Sequence, residues 1–304
     1  MGGEWPELPY EAWRETKQTL HLYLQVIGKL RLALAPMEPQ WGQVPLYLTA
    51  RGLNISPIPH RSGAFDVDVD FVDHTVSIRT RQGRIERIGL EPRTVADFYR
   101  ELMAALERAG VPVEISIRAT EVPDPIPYPD DVEHRSYEPE WAHRFWSVLL
   151  SVDSVLKEHR ALFRGKTSPV HFFWGACDLA YARFSGRALD PPVGAGPIVR
   201  YGGDAEQAVA GFWPGDEQTP LPAFFAYTYR KPDGIEAAHP RPDAAYWSSD
   251  LGELLLPYDA VRTSPQPRQA LLDFLESTYR AGAERAGWPA ELATGLPIAP
   301  SIAS

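Results

Sequence analysis

Between Leu20 and Leu34 the apolar residues fall on more than one face of a 3.6-residue repeat, interrupted by His21, Gln25, Lys29 and Arg31. This pattern predicts a helix covered by neighbours on two sides rather than one lying on a surface. The helical segment starts near Trp13, and Trp13 to Lys29 (WRETKQTLHLYLQVIGK) has a counterpart in Trp141 to Lys157 (WAHRFWSVLLSVDSVLK), with Trp and Lys at the same spacing. Each leads through a short loop to a Pro-led apolar strand, Val44 to Leu48 and Ser168 to Phe172. Strict alternation in Phe65-Asp66-Val67-Asp68-Val69-Asp70-Phe71 predicts a half-buried strand. A turn at Asp73-His74 would set Asp68 against Arg79, Asp66 against Arg81 and Val69 against Ile78.

The ends of the two halves also correspond. Glu107-Arg108-Ala109-Gly110-Val111-Pro112-Val113-Glu114 recurs almost verbatim as Glu284-Arg285-Ala286-Gly287-Trp288-Pro289-Ala290-Glu291, each run preceded by an Asp-Phe pair on the same predicted helix. Gly before Pro is a helix stop signal. The chain therefore reads as an α+β fold of two similar halves, each a long helix, antiparallel strands and a second helix, produced by internal duplication. The expected boundaries are a first repeat over 1–122, a Pro-rich connector over 123–139, a second repeat over 140–292 and a loose tail over 293–304. The alternate prolines of Pro123 to Pro129 favour extended backbone. Arg187 to Gly215, rich in Gly and Pro, is expected to be irregular and to border a site.

Composition narrows the function. Hydrophobic residues make up 44% and charged ones 23% of the 304 residues, which excludes wholesale disorder, collagen and coiled coil. A net charge of −10 is the wrong sign for tracking phosphates, so neither nucleic acid nor an acidic membrane is an expected partner. Nine Trp and thirteen Tyr predict large aromatic contacts or pockets. The start of the chain shows no basic segment followed by an apolar stretch, and the single Cys177 can form no internal disulfide. A cytoplasmic protein is expected.

Familiar motifs are absent. Gly165-Lys166-Thr167 has Arg160 where a phosphate loop needs Gly, Gly194-Ala195-Gly196 lacks the strand and helix of a dinucleotide fingerprint, and the eight histidines include no metalloprotease spacing. The cofactor is left unknown by the sequence.

His21, Gln25 and Lys29 sit at i, i+4 and i+8, in one stripe along the first helix. They read either as a polar row facing an enclosed cavity or as residues held in solvent or structural hydrogen bonds. The counterparts Leu149, Asp153 and Lys157 contain an ordinary i,i+4 ion pair. His171, in the aromatic run Ser168 to Asp178, reads either as a general acid/base or as a core histidine. Arg51 is a candidate anion clamp or a surface salt bridge. Cys177 reads as a small core residue.

Thr19-Leu20-His21 through Gly28-Lys29, Thr49-Ala50-Arg51-Gly52-Leu53 with Ser56-Pro57-Ile58-Pro59, and Ser168 to Gly175 together resemble an uncharacterised bacterial family, domain of unknown function 5996. The resemblance runs from about Trp5 to about Trp288. It implies no activity, fold or cofactor, and the family's Asn-His-Trp is replaced here by Pro39-Gln40-Trp41.

The leading expectation is a small organic ligand bound in an aromatic-rich pocket between the halves. Catalysis there would be acid/base, with His171 as proton carrier and His21 or Lys29 as second polar group. Gln25 and Arg51 would contact the ligand, and Trp174 would form an apolar wall. The alternative is an interaction or structural protein without a small-molecule site; a third reading is a metal or haem protein.

Overall fold

The computed structural model describes residues 5–293. The stretch beyond Ala293, part of the expected loose tail, lies outside the described residues. Helix α1, Tyr10–Leu34, is buried without interruption from Thr19 to Arg31, as its two-faced apolar pattern predicts. Strands β1 (Tyr47–Leu48), β2 (Gly52–Asn54), β3 (Ile58–His60), β4 (Gly63–Asp70), β5 (Thr75–Thr80) and β6 (Ile85–Gly89) follow, and then α2 (Val95–Ala109). Next come α3 (Pro139–Ala161), β7 (His171–Phe173), β8 (Asp178–Ala188), α4 (Pro197–Gly202), β9 (Ala205–Trp213) and β10 (Ala223–Tyr229). Strands β11 (Tyr246–Ser248) and β12 (Glu253–Pro257) and helices α5 (Tyr258–Arg262) and α6 (Pro267–Arg285) complete the order. The fold is α+β with two antiparallel sheets.

The described residues divide into two compact units, the first formed by residues 5–150, 171–178 and 216–220, the second by 151–170, 179–215 and 221–293. The Pro-rich segment 123–139 lies inside the first, and α3 contributes its first half to one unit and its second half to the other.

In the first unit the sheet runs β1-β2-β4-β5-β6, with β3 on β4. Helix α2 packs on β5 and β6 through Phe98, Leu102, Ala105 and Leu106, the buried face of an amphipathic repeat. Thr94 caps its start by accepting from the Asp97 N–H, and Gly110, at φ 78°, ends it in the left-handed conformation that glycine adopts without strain. The β4–β5 register differs from expectation by two residues: Asp66 faces Arg79, and Ile78 faces Val67. The loop is longer than a two-residue turn because Asp70 accepts from the Val72 and Asp73 N–H groups and His74 takes a positive φ. The charges still pair on the polar face, since Arg79 bonds both Asp66 and Asp68.

In the second unit the ladder runs β11-β12-β10-β9-β8. Two of its pieces correct the sequence reading of 187–215. Pro197–Gly202 is a short helix and Ala205–Trp213 is a sheet strand between β8 and β10. The short apolar run Ala208-Val209-Ala210-Gly211-Phe212-Trp213 carried a strand signal that the surrounding Gly and Pro obscured.

Candidate functional site

Two buried polar clusters compete for the role. The first lies along α1 in the first unit. His21 donates from Nε2 to the carbonyls of Trp174 (2.9 Å) and Gly175 (3.0 Å). Gln25, fully buried, donates to Thr120 O (2.7 Å) and Gly175 O (3.1 Å) and accepts from the Thr120 N–H (2.9 Å). Lys29 donates to Thr120 Oγ1 at 3.0 Å and stands 5.5 Å from the centre of the Trp174 ring, whose Nε1–H goes to Val44 O at 2.9 Å. The indole rests on Gly28, where a methyl group would collide with it. Burial, joined by the nearby charge of Lys17, brings His21 down to about 3, so the ring is neutral. Burial also lowers Lys29.

Thus the structure brings His21, Gln25, Lys29 and Trp174 together, and their hydrogen bonds go largely to main-chain groups of the 120 and 174–175 loops. His171 packs its ring against Tyr47 (5.7 Å) and Phe173 (5.4 Å). Arg51 lies apart, half exposed, bonded to Asp70 at 2.6 Å and Asp73 at 2.7 Å, as a surface ion network. Cys177 is buried, and burial pushes its thiol up to about 12. On α3, Asp153 and Lys157 form the expected pair at 2.6 Å. Among the described residues no group of three or more His, Cys, Asp or Glu is arranged to hold a metal.

The second cluster, within the second unit, has a different construction. The register sets Tyr181 beside Ala210, Ala226 and Leu254 across the sheet, and Arg183 beside Ala208 and Thr228. Residues opposite each other share a face, so this face has a floor of small side chains. Helix α6 covers it with Leu275, Thr278 and Tyr279 and approaches closely at Gly282, where a methyl would collide with Thr228. A narrow hollow with a cavity volume of about 30 Å³ remains between floor and helix.

One wall of the hollow carries a chain of side-chain bonds. His159 Nε2 lies 3.1 Å from Glu276 Oε2, and Nδ1 lies 2.5 Å from the Tyr181 hydroxyl. A carboxylate only accepts, which places the proton on Nε2 and makes Nδ1 the acceptor of the Tyr181 O–H. Arg183, 2% exposed, donates to the His159 carbonyl and has Glu276 at 3.8 Å. Its guanidinium lies between Phe163 and Tyr279, 5.1 and 4.4 Å from their ring centres, and its buried Nε–H has no partner. Burial, helped by the charge of Arg183, lowers His159 to about 4. Burial alone would raise Glu276, but hydrogen bonds from His159 and Arg280 and the Arg183 charge outweigh it and hold the carboxyl well below its usual range. Burial raises Tyr181 to about 12, so its phenol keeps its proton at neutral pH.

Comparison with known proteins adds lineage. The sequence model of the family described as "Family of unknown function (DUF5996)" matches residues 5–294. The chain belongs to DUF5996. No curated protein and no solved structure matches it. For this DUF5996 chain the function is therefore argued from the site itself.

Sequence reasoning missed all four residues of the second cluster. Their partners are 22 and 117 positions apart, so no local spacing announces them. The available signal was indirect: Tyr181 and Arg183 alternate with Ala180 and Ala182, and three later strand positions facing them are Ala. Large polar side chains opposite small ones on one sheet face mark a recess.

Proposed function

We propose that the second unit binds a small organic ligand in the hollow between its sheet and α6, and exchanges a proton with it through Tyr181, His159 and Glu276. The carrying observation is that a side-chain chain of phenol, imidazole and carboxylate ends on the wall of a recess floored by Ala208, Ala210 and Ala226. Such recesses, apolar with a few convergent polar groups, favour ligand sites. Tyr181 is too weak an acid to ionise alone. When a ligand proton moves to the Tyr181 oxygen, the phenolic proton passes to His159 Nδ1, and Glu276 stabilises the resulting imidazolium. The reverse sequence returns the proton.

The two halves are further read as copies of one module. Support comes from their shared order of helix, antiparallel strands and helix. Thirty-one and 159 then occupy equivalent helical steps, two residues beyond Lys29 and Lys157: Arg31 bonds the Gln43 and Ile55 carbonyls, whereas His159 enters the relay. A cytoplasmic location fits the lone buried Cys177.

Screening metabolites by thermal shift against the wild type, Ala226→Phe and His159→Gln tests the reading. Ligands that stabilise the wild type should lose about tenfold or more in affinity in the filled A226F hollow, with folding checked by circular dichroism. H159Q should retain binding while exchange of the ligand's acidic C–H with D₂O, followed by NMR, slows about 100-fold or more. Binding indifferent to A226F would refute the proposal.

A further inference from the structure

We propose that a groove along α6, apart from the hollow, is an anion site that binds a phosphate group, free or carried by a small molecule. On a helical repeat Leu275, Thr278, Tyr279 and Gly282 share the flank turned to the sheet. Ser277, Arg280, Ala281 and Glu284 fall on another flank, and with residues 237–241 they line a groove of about 560 Å³. The facing loop is pinned to the helix at both ends. The Arg241 N–H donates to Ser277 Oγ at 2.9 Å, and Arg285 donates from Nε to the Gly234 carbonyl at 3.2 Å. Between those ties the turn Ile235–Ala237 is anchored by Ile235, which is buried. The groove is therefore preformed, so a ligand entering it has little chain to order. Ala237, Ala238 and Ala281 line it with short side chains, which leaves its volume open.

In a chain of net charge −10, this lining sets Arg241, Arg280 and Arg285, with His239, against Glu276 and Glu284. Glu276 is already held by His159 and by Arg280, whose Nε reaches it at 2.6 Å. That bond uses one N–H of Arg280 and leaves its terminal nitrogens open. Arg285 bonds the Gly234 and Ala281 carbonyls, which do not cancel its charge. Arg241 is the freest cation: among the described residues its guanidinium makes no hydrogen bond or ion pair. A phosphate group carries about two negative charges at neutral pH and three acceptor oxygens. Two guanidinium forks, one from the loop and one from the helix, can share those oxygens. A monocarboxylate is satisfied by one fork and leaves the other cation unmatched. A polyanion such as nucleic acid would run off the groove onto a chain that is acidic overall. A small phosphate monoester, or phosphate itself, stays within it.

The test titrates the full chain by calorimetry with glycerol 3-phosphate, inorganic phosphate, and glycerate as the carboxylate counterpart. Glycerol 3-phosphate should bind about tenfold or more tightly than glycerate, and added salt should weaken it. An ester that outbinds inorganic phosphate identifies a phosphorylated molecule as the source, the reverse order identifies free phosphate, and both orders support the site. Arg241→Gln keeps the backbone tie to Ser277, so the loop stays docked while phosphate affinity should fall about tenfold. Arg87→Gln, the same charge change at an exposed position of β6 in the first unit, should leave affinity unchanged. Ala226→Phe, which fills the hollow, should also leave it unchanged, so the groove and the hollow stand or fall separately. The proposal is overturned if neither phosphate binds, if glycerate binds as tightly, if R241Q has no effect, or if R87Q or A226F weakens binding as much as R241Q does.

Discussion

His21 in the first unit and His159 in the second are both buried and both held neutral, yet they use their ring nitrogens differently. His21 gives its Nε2 proton to two main-chain carbonyls, and its neighbours Gln25 and Lys29 likewise close on the 120 and 174–175 loops. His159 stands between a phenol and a carboxylate, on the wall of a hollow. A polar side chain bonded to backbone fixes where loops lie. One bonded between two side chains of different acidity can pass a proton. The comparison thus separates fastening from chemistry by the kind of partner, which residue type alone does not reveal.

The strongest way to break the contrast is to remove one polar centre from each cluster. Glu276→Leu leaves the nearly enclosed Arg183 charge without its carboxylate and should cost about 3 kcal/mol. Gln25→Leu removes the side-chain partner of the Thr120 N–H and carbonyl and leaves the Gly175 carbonyl to His21 alone, and should cost about 2 kcal/mol. Urea denaturation checks both. The losses are comparable, but only E276L should impair proton exchange on a ligand bound in the hollow. Equal loss of exchange in both variants, measured on the folded fraction, would erase the distinction.

These two residues also mark how far sequence carried. Gln25 was legible because i, i+4, i+8 spacing fixes a stripe on any helix, and the continuous apolar pattern around it implied burial. The ends of α2 were equally legible, through Thr94 and Gly110. Glu276 was not. Its role depends on α6 crossing strands more than fifty residues away in sequence, which local periodicity does not encode. The strand pairing of β4 and β5 was foreseen, but its register was set by the side chain of Asp70 capping the loop. The apolar run of β9 was present and was outweighed by flanking Gly and Pro.

A smaller effect sharpens the same comparison through pH. Both histidines have folded values depressed from 6.5, to about 3 for His21 and about 4 for His159. Between those values and 6.5 the unfolded chain binds protons that the folded chain refuses, so stability falls as pH drops. The contribution is complete above 6.5 and is lost as pH falls through the folded values. His159→Gln should flatten the stability slope between pH 6.5 and 4 while leaving the part due to His21. Both rings should report the neutral Nε2–H tautomer in ¹⁵N spectra at pH 7. An imidazolium signal for His159 at pH 6 would contradict the relay geometry.

The smallest change concerns Lys29. Its ammonium is nearly enclosed and has one hydroxyl bond, to Thr120, with the Trp174 ring beside it. Burial lowers its proton affinity, which means the charge is a burden the fold tolerates. Lys29→Met keeps the length and apolar stem, removes that burden and forfeits one hydrogen bond, two terms of opposite sign. Stability should therefore change by less than about 1 kcal/mol, read from the urea midpoint, with ligand affinity in the hollow unchanged. Were Lys29 instead a catalytic or ligand-holding amine, K29M would leave the fold intact and abolish binding or exchange. That outcome would move the site from the second unit to the first.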